Sequence, residues 1–212
     1  MGLTVHFNLD APGHCIAAQV RKHVMSLRRL ALVFQQEGLV DRVHPIVSDV
    51  EALRRFARHW LILPVPGEEN TSTGVEVSPR EGFLFRVDVG QDCEPLVLGL
   101  CRYPKTVLHH GCELQTKLRL TWRLAGSCKT QYAGLHGWKH FQRCHCAVLE
   151  LLAGCRRPGL RVKISDEGKY WPRRSLGTLR GNLDQMNQLV AVTAGALQDD
   201  SEAPEGTMSA AK

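Results

Sequence analysis

Cys128, His145 and Asp166 are the side chains of this 212-residue chain best suited to covalent chemistry. A cysteine attacks as its thiolate, which at neutral pH needs a base or a cation beside it. A histidine could supply the base, and a carboxylate could hold the imidazole in one orientation. Cys128 follows Gly126 and Ser127 at what the pattern predicts to be a strand end. Together the three residues make Cys128 the candidate nucleophile of a cysteine-dependent hydrolase or transferase. No protease signature surrounds it, and eight cysteines with ten histidines make chance pairings easy.

A second set offers recognition. Lys129, Gln131 and Tyr132 follow Cys128, and Glu167, Tyr170 and Trp171 follow Asp166. Donors, acceptors and aromatic surface in one region are what ligand sites use. The leading expectation is therefore a binding or interaction domain for a small molecule or a protein. Its polar site comprises segments 128–132 and 165–171 with His145. Each residue also has a plain structural assignment. Cys128 suits a small buried apolar position, His145 a satisfied core histidine, and Asp166–Glu167–Gly168 a turn under Tyr170 and Trp171.

Metal binding is a weaker pattern. His140 and Cys144 are four residues apart and share a helical face, but Cys146 points elsewhere. Cys128 and His136 are outlying additions, and His109, His110 and Cys112 form a loose second group. No C-x-x-C pair is present, so neither a metal nor a cofactor is expected. Walker, dinucleotide-binding, HExxH and G-x-S-x-G patterns are absent too.

The formal net charge is +6. Setting aside residues 199–212 removes four acidic residues and one lysine, which leaves 26 basic and 17 acidic residues, a net +9. The pairs Arg28–Arg29, Arg54–Arg55, Arg156–Arg157 and Arg173–Arg174 could face phosphates. No nucleic-acid motif accompanies them, aromatics are only 6% of the chain, and dispersed pairs fit a solvated surface better.

These residues need elements to position them. Leu3, Val5, Phe7 and Leu9 alternate with polar residues and predict a half-buried strand. Further strands are expected at 43–47, 60–65, 83–89, 96–101, 106–108, 160–164 and from Leu114 through Leu118, Leu120 and Trp122 to near Leu124. Pro45 argues that its strand is an edge. Residues 66–74 read as a loop. Short turns favour an antiparallel meander. Three amphipathic helices are expected near 14–37, 137–155 and 173–198, with a short helix near 50–59. The expected fold is α+β, one domain over 1–198, with a disordered acidic tail at 199–212. Chain economy then brings Tyr132, His145 and Asp166 to one pocket wall.

Three strings, Gly99–Pro104 (GLCRYP), Cys128–Ala133 (CKTQYA) and Ser165–Trp171 (SDEGKYW), stand with the start MGLTVHF. Together they resemble a family of uncharacterised bacterial proteins of similar length, over about Met1 to Leu197. The resemblance implies a bacterial single-domain protein and assigns no activity. The start lacks a signal-peptide pattern, and no apolar run approaches the about 20 residues that span a bilayer. A cytoplasmic location with reduced thiols is the expectation.

Overall fold

The computed structural model describes residues 3–64, 72–116, 118 and 121–201, with side chains omitted for 193–201. In chain order the elements are β1 (Thr4–Asp10), α1 (Ala17–Gln36), β2 (Arg42–Val43), α2 (Val50–Phe56), β3 (His59–Pro64), β4 (Ser72–Val77) and β5 (Glu81–Asp88). They continue with β6 (Leu96–Arg102), β7 (Thr106–His109), β8 (Cys112–Gln115), β9 (Arg123–Lys129), a 3-10 turn (Gln131–His136), α3 (Trp138–Gly154), β10 (Arg161–Asp166) and α4 (Leu176–Ser201).

The fold is α+β. Six strands form one antiparallel sheet in the order β10-β1-β9-β6-β5-β2, and the hairpins β3-β4 and β7-β8 stand apart from it. This is not the expected meander, because the first strand lies between the last two. Val5, Phe7 and Leu9 are almost fully buried while His6 and Asn8 are exposed. A strand with one such face keeps its backbone groups paired on both edges, which β9 and β10 provide. At the other end, β2 is the sheet edge, as Pro45 implied, and stops at Val43. Beyond the proline only Val47 bridges back, to Leu84.

Paired residues share a face, so the Val5–Phe7–Leu9 face carries Cys128, Asp166 and Ile164. Helices α1 and α3 cover it. In α1, Val20, Val24, Leu27 and Ala31 are buried, and Gly38 ends the helix with φ +70. In α3, Phe141, Cys144, His145, Val148 and Leu152 are among the buried residues. The opposite face is polar where β10, β1 and β9 show His6, Asn8, Ser127, Lys163 and Ser165. Over β5 it is covered by α2, whose Leu53 lies against Gly82. The buried side chains make one core.

Several boundaries differ from the sequence reading. The strand expected to run from Leu114 to near Leu124 is two elements. Thr116 turns the chain away, its hydroxyl donating to Pro104 O (2.8 Å) or Lys105 O (3.0 Å) while its amide bonds Lys105 O (2.8 Å). Leu120 lies outside the described residues. Consequently Gly126, Ser127 and Cys128 sit inside β9, not beyond a strand end. Residues 72–74, read as loop, begin β4, and 65–71 lie outside the described residues. The helix expected to stop at 198 continues through Ser201, because Ala196, Leu197 and Gln198 are good helix formers. The rest of the acidic tail lies outside the described residues.

The third amphipathic stripe also behaves differently from the other two. Among the described side chains of α4, only Leu179 and Leu183 are fully buried, whereas Val190 and Val192 are exposed. The helix is held near its start, where Asn182 Nδ2 donates to Gly168 O (2.8 Å).

Candidate functional site

Asp166 is the last residue of β10 and faces the helices because it pairs with Val5. Its carboxylate accepts from the amides of Gly168 (Oδ1, 2.8 Å) and Trp171 (Oδ2, 2.9 Å). The following turn is thereby fixed, with Lys169 in the left-handed region at φ 56. From α3, His145 Nε2 approaches Asp166 Oδ1 at 3.1 Å, and both side chains are completely buried. The approach is close enough for an ion pair whenever the imidazole is protonated. The other ring nitrogen, Nδ1, lies 2.8 Å from Thr130 Oγ1, and Thr130 is also 0% exposed. The same hydroxyl lies 3.3 Å from Leu3 O, which already accepts the Thr130 amide at 3.1 Å.

Thr130, His145 and Asp166 thus form a closed polar chain joining β1, the end of β9, α3 and the end of β10. Burial alone would raise the Asp166 carboxyl, but the hydrogen-bonding contact and charge of His145, with the two backbone amides, outweigh it and hold the group below its usual range. Phe141 stacks on His145 with ring centroids 5.4 Å apart. No solvent reaches these three side chains.

Cys128 lies elsewhere. Its thiol donates to Glu94 O (3.1 Å), and burial pushes its pKa up. Its neighbours are Glu94, Cys93 and Cys144. Both nitrogens of His145 face Thr130 and Asp166, so this imidazole is not turned to Cys128.

The recognition residues are divided between several surfaces. Lys129 Nζ donates to Tyr132 OH (3.3 Å) and lies 4.7 Å from the centre of that ring, which is half exposed. Gln131 is buried, and its Oε1 has no partner among the described residues. Glu167 is exposed, accepting from the Thr4 amide (2.9 Å) and approaching His6 Nε2 at 3.4 Å. Tyr170 lies against Cys146, while Trp171 stands beneath Arg156 and Arg174, each 5.7 Å from its ring centre.

The metal candidates separate as well. Cys144 Sγ is 3.6 Å from His140 Nε2, but Cys146 faces Tyr170, and no group of three or more His, Cys, Asp or Glu among the described residues is placed to hold an ion. Three of the arginine pairs have one member engaged within the chain. Arg28 Nε donates to His44 O, Arg54 pairs with Glu51, and Arg174 with Glu150.

One open groove borders the buried chain. Its volume is 530 Å³, and it runs between the turn after β10 and α4. Leu3, Met186 and Val192 give it an apolar lining, and Glu167, Lys169 and Gln185 are among its polar neighbours. Sequence reasoning found Glu167 but missed Thr130 and the groove. Thr130 stands inside the CKTQYA string, yet a threonine carries no signal until its partner is known. Against known proteins the chain matches no family model, no curated protein and no solved structure.

Proposed function

We propose that the chain is a binding domain for a small amphipathic ligand with an acidic head group, and that the groove between the 167–169 turn and α4 is its site. The observation that carries this reading is the groove itself, whose 530 Å³ lies within the range of small-molecule sites. An apolar body would lie on Met186 and Val192, and the head would reach Lys169 and Gln185. The buried contacts of Asp166 support it by fixing the turn that carries Glu167 and Lys169. The bond from Asn182 to Gly168 supports it by tying α4 to that turn. This keeps the 165–171 segment as the centre of function and reduces Cys128 and His145 to structural neighbours. A cytoplasmic setting, where thiols stay reduced, belongs to the same reading.

Titration with decanoate and with 1-anilinonaphthalene-8-sulfonate tests it. Saturable one-to-one binding is expected, weakened about tenfold by Met186→Glu, equivalent to about 1.4 kcal/mol. Lack of saturable binding by both probes, or unchanged affinity in the variant, would overturn it.

A further inference from the structure

The two hairpins that stand apart from the main sheet border a surface that the α4 groove does not use. Hairpin β3-β4 pairs Trp60 with Glu76 and Ile62 with Gly74, so these four residues share one face. Trp60 is 68% exposed and Ile62 67%, and Leu108 of the other hairpin is exposed as well. The indole lies against Gly74, where an added Cβ would stand 2.4 Å from its Cζ2 and 2.9 Å from its Cε2. The missing side chain seats the ring on its own hairpin while most of it meets solvent. Thr73 Oγ1 and His109 Nε2, 3.2 Å apart, join this hairpin to β7-β8.

Two connected grooves flank the ring. One, of 690 Å³, runs between the two hairpins and α2, and Trp60, Leu108, Arg54 and Arg80 are among its walls. The other, of 440 Å³, shares Arg80, Pro104 and Thr106 with it and continues to Arg102 and Lys105. Together the walls carry four permanent cations, Arg54, Arg80, Arg102 and Lys105, against two carboxylates, Glu76 and Glu81. Glu76 is matched by Arg58 (2.9 Å), Glu81 by Arg102 (3.5 Å), and Arg54 by Glu51 (3.1 Å). Arg80 and Lys105 are exposed and have no acidic partner among the described residues. The four cations come from α2, the turn before β5, the end of β6 and the turn after it, so no run in the sequence announces them.

A seated aromatic ring beside unmatched cations is the combination that single-stranded nucleic acid uses. Any base can stack on the ring, and the phosphates take the cations. A duplex keeps its base faces inside its own stack. An acidic peptide would satisfy the cations and leave the indole without a planar partner. A second copy of the chain would set the same cations against these, which like charge opposes. We propose that the grooves flanking Trp60 bind a single-stranded oligonucleotide, with a base stacked on Trp60 and phosphates of the strand on Arg80 and Lys105. The net +9 of residues 1–198 draws such a strand in.

The test is fluorescence anisotropy of a labelled oligothymidylate about 12 nucleotides long, within the usual size of single-strand sites, titrated with the full chain. Saturable binding is expected, weaker for the same strand annealed to its complement. Trp60→Ala should weaken it about tenfold, within the range of one lost stack, and Trp60→Phe should restore most of the loss. Arg80→Gln should make the slope of log affinity against log salt shallower by about 0.7, one phosphate contact fewer. Arg80 is exposed and has no acidic partner to lose, so this variant decides the matter even where Trp60→Ala disturbs its hairpin. Lack of saturable binding at low salt, equal affinity for the duplex, or an unchanged salt slope in Arg80→Gln would overturn the proposal. So would unchanged affinity in folded Trp60→Ala, or displacement by polyglutamate as effective as by unlabelled oligothymidylate. These grooves share no residue with the one beside α4, so either reading can fail without the other.

Discussion

At the scale of single residues, the fate of His145 depends on what stands at both ends of its ring. Its place on an apolar helical row identified it as a core histidine with a polar partner, and Asp166 is within 3.1 Å. Tyr132, expected on the same pocket wall, is half exposed and bonds Lys129 instead, while Thr130 stands at Nδ1. That choice was illegible in the sequence. After β9 the chain enters a 3-10 turn, and only the turn's phase decides which of residues 130–132 points inward. Removing one member of such a buried set leaves the others without partners. Asp166→Asn should cost about 3 kcal/mol at neutral pH, at the lower end for breaking a buried pair. The sign with pH follows from the depressed carboxyl. Its stabilisation is complete above the unfolded value near about 4 and is lost as pH falls through the lower folded value. The gap between wild type and variant, read from urea midpoints, should therefore shrink in acid. An equal gap at neutral pH and well below that range would disprove the assignment.

At the scale of elements, strands with strict alternation and helices with a clear apolar row were legible. The burial rows of β1, α1 and α3 follow that pattern. What failed was the segment after β8, where apolar residues continue the alternation but the Thr116 hydroxyl redirects the backbone. Side-chain hydrogen bonds of this kind compete with the sheet ladder and leave no periodic trace. Glycines show the same limit, since two of them in regular elements have opposite meanings. Gly99, inside β6, has φ +141, and an added Cβ would stand 2.1 Å from Phe83 O. Gly181, inside α4, has nothing within 4 Å. Gly99→Ala should destabilise by about 3 kcal/mol or more, because backbone and not a mobile side chain blocks the methyl. Gly181→Ala should stabilise by up to about 1 kcal/mol through helix propensity. Thermal unfolding of both variants gives the two signs, and a Gly99→Ala protein as stable as wild type would contradict the strand register described here.

At the scale of the whole molecule, the sequence indicated an α+β chain but not the position of its first strand. Short-turn economy predicted neighbours in order, whereas β1 pairs with β9 and β10, so Val5 meets Cys128 on one side and Asp166 on the other. No local pattern encodes a pairing across so many residues. It follows from the need of a strand buried on one face to satisfy both of its backbone edges. The arrangement makes cohesion unequal. Strand β1 is interior to the sheet, one place from its β10 edge, and packs beneath α3, and the buried chain through Thr130 closes on Leu3 O. Parting β1 from its neighbours opens the core beneath α3, which approaches global unfolding. Among the described residues the strands of the β7-β8 hairpin pair only with each other, and its Leu108 is 77% exposed. It can open while the core stays closed, as weakly attached units do. Native-state hydrogen exchange should therefore show β1 amides exchanging only through the denaturant-sensitive global opening. Those of β7 and β8 should exchange through small openings insensitive to denaturant. The decisive comparison is between Phe7, paired on both sides, and Val107, paired on one. If Phe7 exchanged as readily as Val107, the placement of β1 between β9 and β10 would be refuted, and with it the route by which His145 and Asp166 are brought together.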